Sequence, residues 1–66
     1  MIEVEYTKQI DGKTFSLFYS GGYTWTAWLE GTGNIAVNWN AEDTLADAEK
    51  KLNTKIDISS LDYRKY

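Results

Sequence analysis

Two pairs of carboxylates are the residues of this chain whose types and spacing could do acid–base chemistry. Glu3 and Glu5 form one pair, and Asp43 and Asp47 form the other. Neighbouring carboxylates can act as general acid and general base when their surroundings separate their pKa values. The chain has no histidine and no cysteine, so a Ser-His triad, a Cys-His pair and the usual zinc ligands are excluded.

Each carboxylate pair also has a simpler structural interpretation. Glu3 and Glu5 fall on a predicted edge strand, where charge prevents unwanted strand pairing. Asp43 and Asp47 fall on the solvent face of a predicted helix, with Lys50 close enough to pair with Asp47. A 66-residue domain has little room for the pocket that a shifted pKa requires. We therefore expect no enzyme activity, no cofactor and no metal site.

Two aromatic rings on one predicted sheet face are the candidate binding residues. Trp28 and Phe18 stand among small and polar side chains, with Thr26 and Asn38 around them. Tryptophan is a favoured anchor in protein interfaces, and large exposed apolar groups mark contact surfaces. These four residues form the predicted contact surface. Two alternatives stay open: the C-terminal tail covers the rings, or the rings are exposed without a role.

The charge of the chain bears on the kind of partner. Seven basic and ten acidic residues give a formal charge of −3, and the basic residues are scattered. This balance disfavours a nucleic-acid backbone as the ligand. The helix acids Asp43 and Asp47 form a second candidate surface, because negative potential speeds encounter with a basic protein. We expect a protein partner, with a single-stranded nucleic acid stacked on Trp28 and Phe18 as the alternative.

Alternating apolar residues and turn signals predict the sheet that positions these rings. Asp11-Gly12 is a two-residue hairpin signal, and a loop at 20–22 then places Trp25 opposite Leu17. A further loop at 31–33 places Trp39 opposite Trp25, and Trp28 projects from the other face. The predicted core face consists of Val4, Tyr6, Phe15, Leu17, Tyr19, Tyr23, Trp25, Ala27, Leu29, Ile35, Val37 and Trp39.

One helix is predicted to cover this apolar face. Asn40 or Thr44 can cap its start, and "KIDI" after Asn53 can add a short strand. The tail "SSLDYRKY" is either a further strand or a loosely held end. The inward stripe of the helix consists of Ala41, Leu45, Ala48 and Leu52. The predicted fold class is α+β: a four- or five-stranded, mainly antiparallel β-meander with one helix on one face, as a single domain over residues 1–66.

The order of strand, strand and then "AEDTLADAEKKL" resembles the ββα stretch of HicB-type antitoxins, in which a "DTLEEA"-like segment opens the helix. The layout is also similar to that of small phage-encoded inhibitors of host enzymes. The resemblance covers less than half of the chain. It implies an acidic, compact protein without catalytic residues, whose partner is another protein.

The same composition bears on compartment and assembly. The N-terminus lacks a secretory pattern and no run reaches the ~18 apolar residues of a membrane span, so we expect a cytoplasmic protein. The apolar stripe of one helix covers only part of the apolar face of a four-stranded sheet. Either the C-terminal segment 55–66 completes the core, which we favour, or the chain dimerises. The predicted oligomeric state is therefore monomer or homodimer.

Overall fold

Five strands and one helix form a two-layer α+β structure in the computed structural model, which describes residues 2–22 and 24–66. The strands make one antiparallel sheet in the order β4-β3-β2-β1-β5, and α1 packs mainly on β4 and β3. The predicted fold class is confirmed, with five strands. The elements are β1 (Val4–Ile10), β2 (Lys13–Tyr19), β3 (Trp25–Leu29), β4 (Gly33–Asn38), α1 (Ala41–Leu52), a 3₁₀ turn (Ile58–Ser60) and β5 (Asp62–Lys65).

The first hairpin closes on Asp11 and Gly12, as the turn signal predicts. Both residues have positive φ, 52° and 78°, which a type I′ turn requires at its two central positions. The register pairs Ile10 with Lys13 next to the turn. The predicted pairing of β1 with β2 is confirmed along the whole hairpin.

Replacing Gly12 with valine should lower the free energy of unfolding by about 1–2 kcal/mol, because a β-branched residue resists positive φ. No atom lies within 4 Å of a Cβ built at this position, so backbone strain and not a clash is the cause. Urea unfolding followed by circular dichroism measures the effect. Gly12→Asn is the control and should keep most of the stability, because asparagine tolerates this conformation. An unchanged urea midpoint for Gly12→Val would contradict the turn assignment.

The second hairpin has a longer loop than the sequence predicts. Leu17 pairs with Ala27, whereas a loop at 20–22 would have paired Leu17 with Trp25. The difference is two residues, an even number, so every side chain keeps its predicted face. Trp25 lies on the helix face and Trp28 on the opposite face. Tyr23, which is part of the predicted core face, is outside the described residues.

A β-bulge interrupts the pairing of β3 with β4. Ala27 pairs with Ala36, but the next residue, Trp28, pairs with Asn34. Ile35 is therefore an extra residue on β4. One extra residue reverses the faces of all residues beyond it.

The bulge overturns four predicted positions. Alternation predicts Val37 and Trp39 in the core, but they are 53% and 75% exposed. Regular alternation from Ile35 predicts Ala36 and Asn38 on the opposite face, but both lie on the helix side, where Asn38 Nδ2 donates a hydrogen bond to Asp47. The predicted contact between Trp39 and Trp25 is wrong for the same reason.

The core lies between the sheet and the predicted apolar stripe of α1. Asn40 caps the helix, accepting a hydrogen bond from the Asp43 N–H at 2.8 Å. Trp25 is half-buried at the margin of the core, with its ring 6.3 Å from Tyr6 and 5.6 Å from Tyr19. The buried apolar residues are Phe15, Leu17, Ala27, Leu29, Ile35, Ala36, Leu45, Ala48, Ile56 and Leu61.

The C-terminal segment completes this core, which is the option that the sequence analysis favours. Ile56 and Leu61 are 4% and 8% exposed. The predicted strand through Ile56 and Ile58 is wrong, because the 3₁₀ turn begins at Ile58. Asp57 caps that turn, and the hydrogen bond that its carboxylate accepts from the Ser59 N–H lowers the pKa of Asp57.

Strand β5 pairs with the outer side of β1, so β1 is an interior strand. The prediction that Glu3 and Glu5 lie on an edge strand is therefore wrong. Glu5 lies within the sheet, between Phe18 on β2 and Arg64 on β5. This position brings the carboxylate of Glu5 into the candidate site.

Candidate functional site

The sheet face opposite α1 carries both candidate rings. Phe18 on β2 pairs with Thr26 on β3, and Ser16 on β2 pairs with Trp28 on β3. Phe18 and Trp28 are half-buried. We call this surface the aromatic face. Its members are Ile2, Glu5, Thr14, Ser16, Phe18, Thr26 and Trp28.

A hollow of about 270 Å³ lies on the aromatic face. Ser16 is a small residue directly across from Trp28, so the strand pairing leaves space beside the indole ring. Ile2, Glu5 and Thr14 provide further walls, with Phe18 and Trp28 as the aromatic ones. A shallow apolar hollow with a few fixed polar groups is typical of a binding site.

Glu5 supplies a charged group to this hollow, and two hydroxyl groups hold its carboxylate. Ser16 Oγ donates to Oε2 at 2.8 Å, and Tyr66 Oη donates to Oε1 at 2.6 Å. Each carboxylate oxygen has a second lone pair that can accept from another donor. In the described part of the chain, no second carboxylate lines the hollow. The arrangement therefore suits a cationic ligand better than acid–base chemistry.

The structure separates the six predicted contact residues into two groups. Trp28, Phe18 and Thr26 lie together on the aromatic face. The other three lie at α1: Asn38 and Asp47 bond to each other, and the carboxylate of Asp43 accepts from the Asn40 side chain at 3.1 Å. The three residues at α1 thus already make contacts within the chain.

Comparison with known proteins gives this chain no family. No protein-family model matches it, and no curated protein or solved structure matches it significantly. The resemblance to HicB-type antitoxins therefore gains no support from a family match.

Val37 is an exposed apolar neighbour of this surface that sequence reasoning missed. It pairs with Thr26 and so lies at the outer margin of the aromatic face. Its position depends on the bulge at Ile35. Alternation cannot reveal the bulge, because Ile35, Ala36 and Val37 are apolar at consecutive positions.

A larger hollow, about 380 Å³, lies at the C-terminal end of α1. It contains no aromatic side chain, and long mobile lysines form part of its wall. The aromatic face is the stronger candidate, because rigid rings bind with a smaller loss of side-chain entropy. The residues around the larger hollow are Ala46, Glu49, Lys50, Asn53, Thr54 and Lys55.

The helices described within residues 2–22 and 24–66 are α1 and the short 3₁₀ turn. None of the helices there has the length and hydropathy needed to cross a membrane. No group of three or more acidic side chains is arranged to hold a metal ion in this part of the chain.

Proposed function

We propose that this chain is a non-enzymatic protein-binding module, a small inhibitor or adaptor, that binds its partner through the aromatic face. The observation that carries the proposal is the hollow of about 270 Å³ beside Phe18 and Trp28, on the sheet face opposite α1. Phe18 and Trp28 each keep part of their surface exposed in the chain alone. A partner side chain that enters the hollow would bury the remaining aromatic surface, which is how interface anchors act.

The charges around the hollow indicate a partner that combines apolar and basic groups. Glu5 lines the hollow, and Asp62 belongs to the same side of the sheet because it pairs with Thr7. Arg64 also lies on this side, but its guanidinium carbon is 5.8 Å from the centre of the Tyr66 ring, where it stacks within the chain. A lysine or arginine of a partner can lay its carbon stem on the rings and reach the carboxylate.

Replacing Trp28 with alanine should weaken binding of the partner by about 2 kcal/mol or more, roughly 30-fold in Kd. The free energy of unfolding should fall by only about 1–2 kcal/mol, because Trp28 lies outside the core. The partner is first captured from a lysate of the source cells and identified by mass spectrometry. Calorimetric titration of the purified pair then gives both affinities.

The matched control for Trp28→Ala is Tyr63→Ala. Tyr63 is an exposed aromatic residue on the other side of the sheet, so its loss should leave the affinity unchanged. A folded Trp28→Ala variant that binds the partner as tightly as the parent would contradict the proposal.

The alternative ligand is a single-stranded nucleic acid stacked on the same rings. The salt dependence of the affinity distinguishes this ligand from a protein partner. Base-stacking platforms are accompanied by a basic groove, whereas Glu5 and Asp62 are acidic. Affinity for an oligothymidine that falls steeply with salt would favour the alternative. An aromatic protein contact should respond weakly to salt.

A further inference from the structure

The two edges of the sheet are protected to different degrees. Edge strands of monomeric proteins usually carry charges that prevent pairing with another chain. Strand β5, at one edge, contains Asp62, Arg64 and Lys65. Strand β4 forms the other edge, and the stretch "GNIAVNWN" at 33–40 contains no charged residue. The β4 edge is therefore the less protected of the two.

The same edge exposes two large apolar side chains. Val37 is 53% exposed and Trp39 is 75% exposed. Regular alternation would have turned both toward the helix, and the extra residue Ile35 turns them away. Bulges redirect side chains in this manner. The exposure of Val37 and Trp39 is thus a result of the strand geometry. The bulge leaves exposed two large apolar side chains that a regular strand would bury.

Backbone geometry directs the peptide groups of Val37 to the outside of the sheet. The Glu30 N–H donates to the Thr14 carbonyl at 2.9 Å, which marks Thr14 and Glu30 as a hydrogen-bonded pair of β2 and β3. Successive residues of a strand direct their peptide groups to opposite sides. Since Glu30 directs its N–H to β2, Ala27, three residues away, directs its N–H and carbonyl to Ala36 on β4. The next residue, Val37, then presents its N–H and carbonyl at the free edge.

We propose that two copies of this chain pair antiparallel along β4, about a two-fold axis at Val37. A strand that pairs with its own copy must do so about such an axis, and the axis places Val37 of one copy opposite Val37 of the other. No like charges meet along residues 33–40, although each chain carries a net charge of −3. Trp39 of each copy adds apolar surface beside the axis. The hollow of the aromatic face draws no residue from β4 and stays free in the dimer.

Sedimentation equilibrium of the full chain tests this dimer. The expected mass is twice the 7.6 kDa of one chain at millimolar concentration. Val37→Lys places like charges on the axis and should weaken self-association by about 100-fold. Tyr63→Lys is the matched control, because it adds the same charge at an exposed position of the β5 edge and should leave the dimer intact.

Amide hydrogen exchange of the unmodified chain provides a readout that does not depend on a variant. The Val37 amide should be protected in the dimer and should lose that protection on dilution to the monomer. A monomer at millimolar concentration would overturn the proposal. A dimer whose Val37 amide exchanges freely would also overturn it, and so would a dimer that persists in a folded Val37→Lys variant. Either result would mean that the two copies meet at a surface other than the β4 edge. These results do not depend on how Trp28→Ala affects binding.

Discussion

A chain that stops at Thr54 should show no cooperative unfolding transition. The missing segment contains Ile56 and Leu61, both buried in the core, and all of β5. Its removal also exposes the outer side of β1. The Glu49 carboxylate loses the hydrogen bond that it accepts from the Ile56 N–H at 2.7 Å. Domains of this size have little stability in reserve. Urea titration followed by near-ultraviolet circular dichroism should give a broad, non-sigmoidal curve.

Substitutions in the full chain control for the truncation. Ile56→Ala should cost about 2–5 kcal/mol, as expected for a buried isoleucine. Ile58→Ala should cost much less, because Ile58 is 39% exposed. A truncated chain with a sharp transition and a monomeric mass would show that the segment is dispensable for the core.

Phe15→Ala should cost about 3–5 kcal/mol, because Phe15 has no solvent exposure and alanine leaves a cavity between the sheet and α1. The total stability of a chain of this length is about 3–10 kcal/mol, so the variant should lose a large part of it. Phe18→Ala is the matched control on the same strand. Phe18 lies on the aromatic face, and its loss should cost about 1–2 kcal/mol.

Thermal and urea unfolding of the two phenylalanine variants measure this difference directly. Phe15→Ala should lose more stability than Phe18→Ala, because Phe15 lies on the helix side of β2 and Phe18 on the opposite face. A stable Phe15→Ala variant together with an unfolded Phe18→Ala variant would mean that the helix covers the other face.

The sequence predicts those parts of the fold in which local and long-range signals agree. Asp11-Gly12 sets the first hairpin by turn geometry, and the apolar pattern of β1 and β2 demands the same register. The loop after Tyr19 is predicted with the wrong length, but the error is even, so Trp25 and Trp28 keep their faces. Face assignments tolerate such errors, whereas pair assignments do not.

The sequence does not predict the bulge, and the bulge decides part of the candidate site. Ile35 adds one residue, an odd number, so it moves Asn38 to α1 and Val37 to the margin of the aromatic face. Apolar side chains at consecutive positions satisfy either register. Only the packing of α1 on β4 distinguishes the two, and this is a tertiary effect.

The prediction also fails to locate Glu5 in the site, because it treats β1 as an edge strand. The short strand β5 contains polar and charged residues, and its four residues are all exposed. Its pairing with β1 is made by backbone hydrogen bonds, and the exposed ring of Tyr63 lies 5.0 Å from the ring of Tyr6. Hydrophobic periodicity gives no signal for such a strand.

The pairing of β1 with β5 has a consequence for the order of folding events. Tyr66 and Glu5 are 61 positions apart in the chain, whereas the β1–β2 hairpin and α1 form from local contacts. Closing so long a loop carries a large entropy cost before its contacts are made. The hairpin and helix should therefore form early, and the outer side of β1 should remain unpaired until β5 docks. During that interval β1 is a template for another chain, so β1–β5 docking sets how long the folding chain is prone to aggregate.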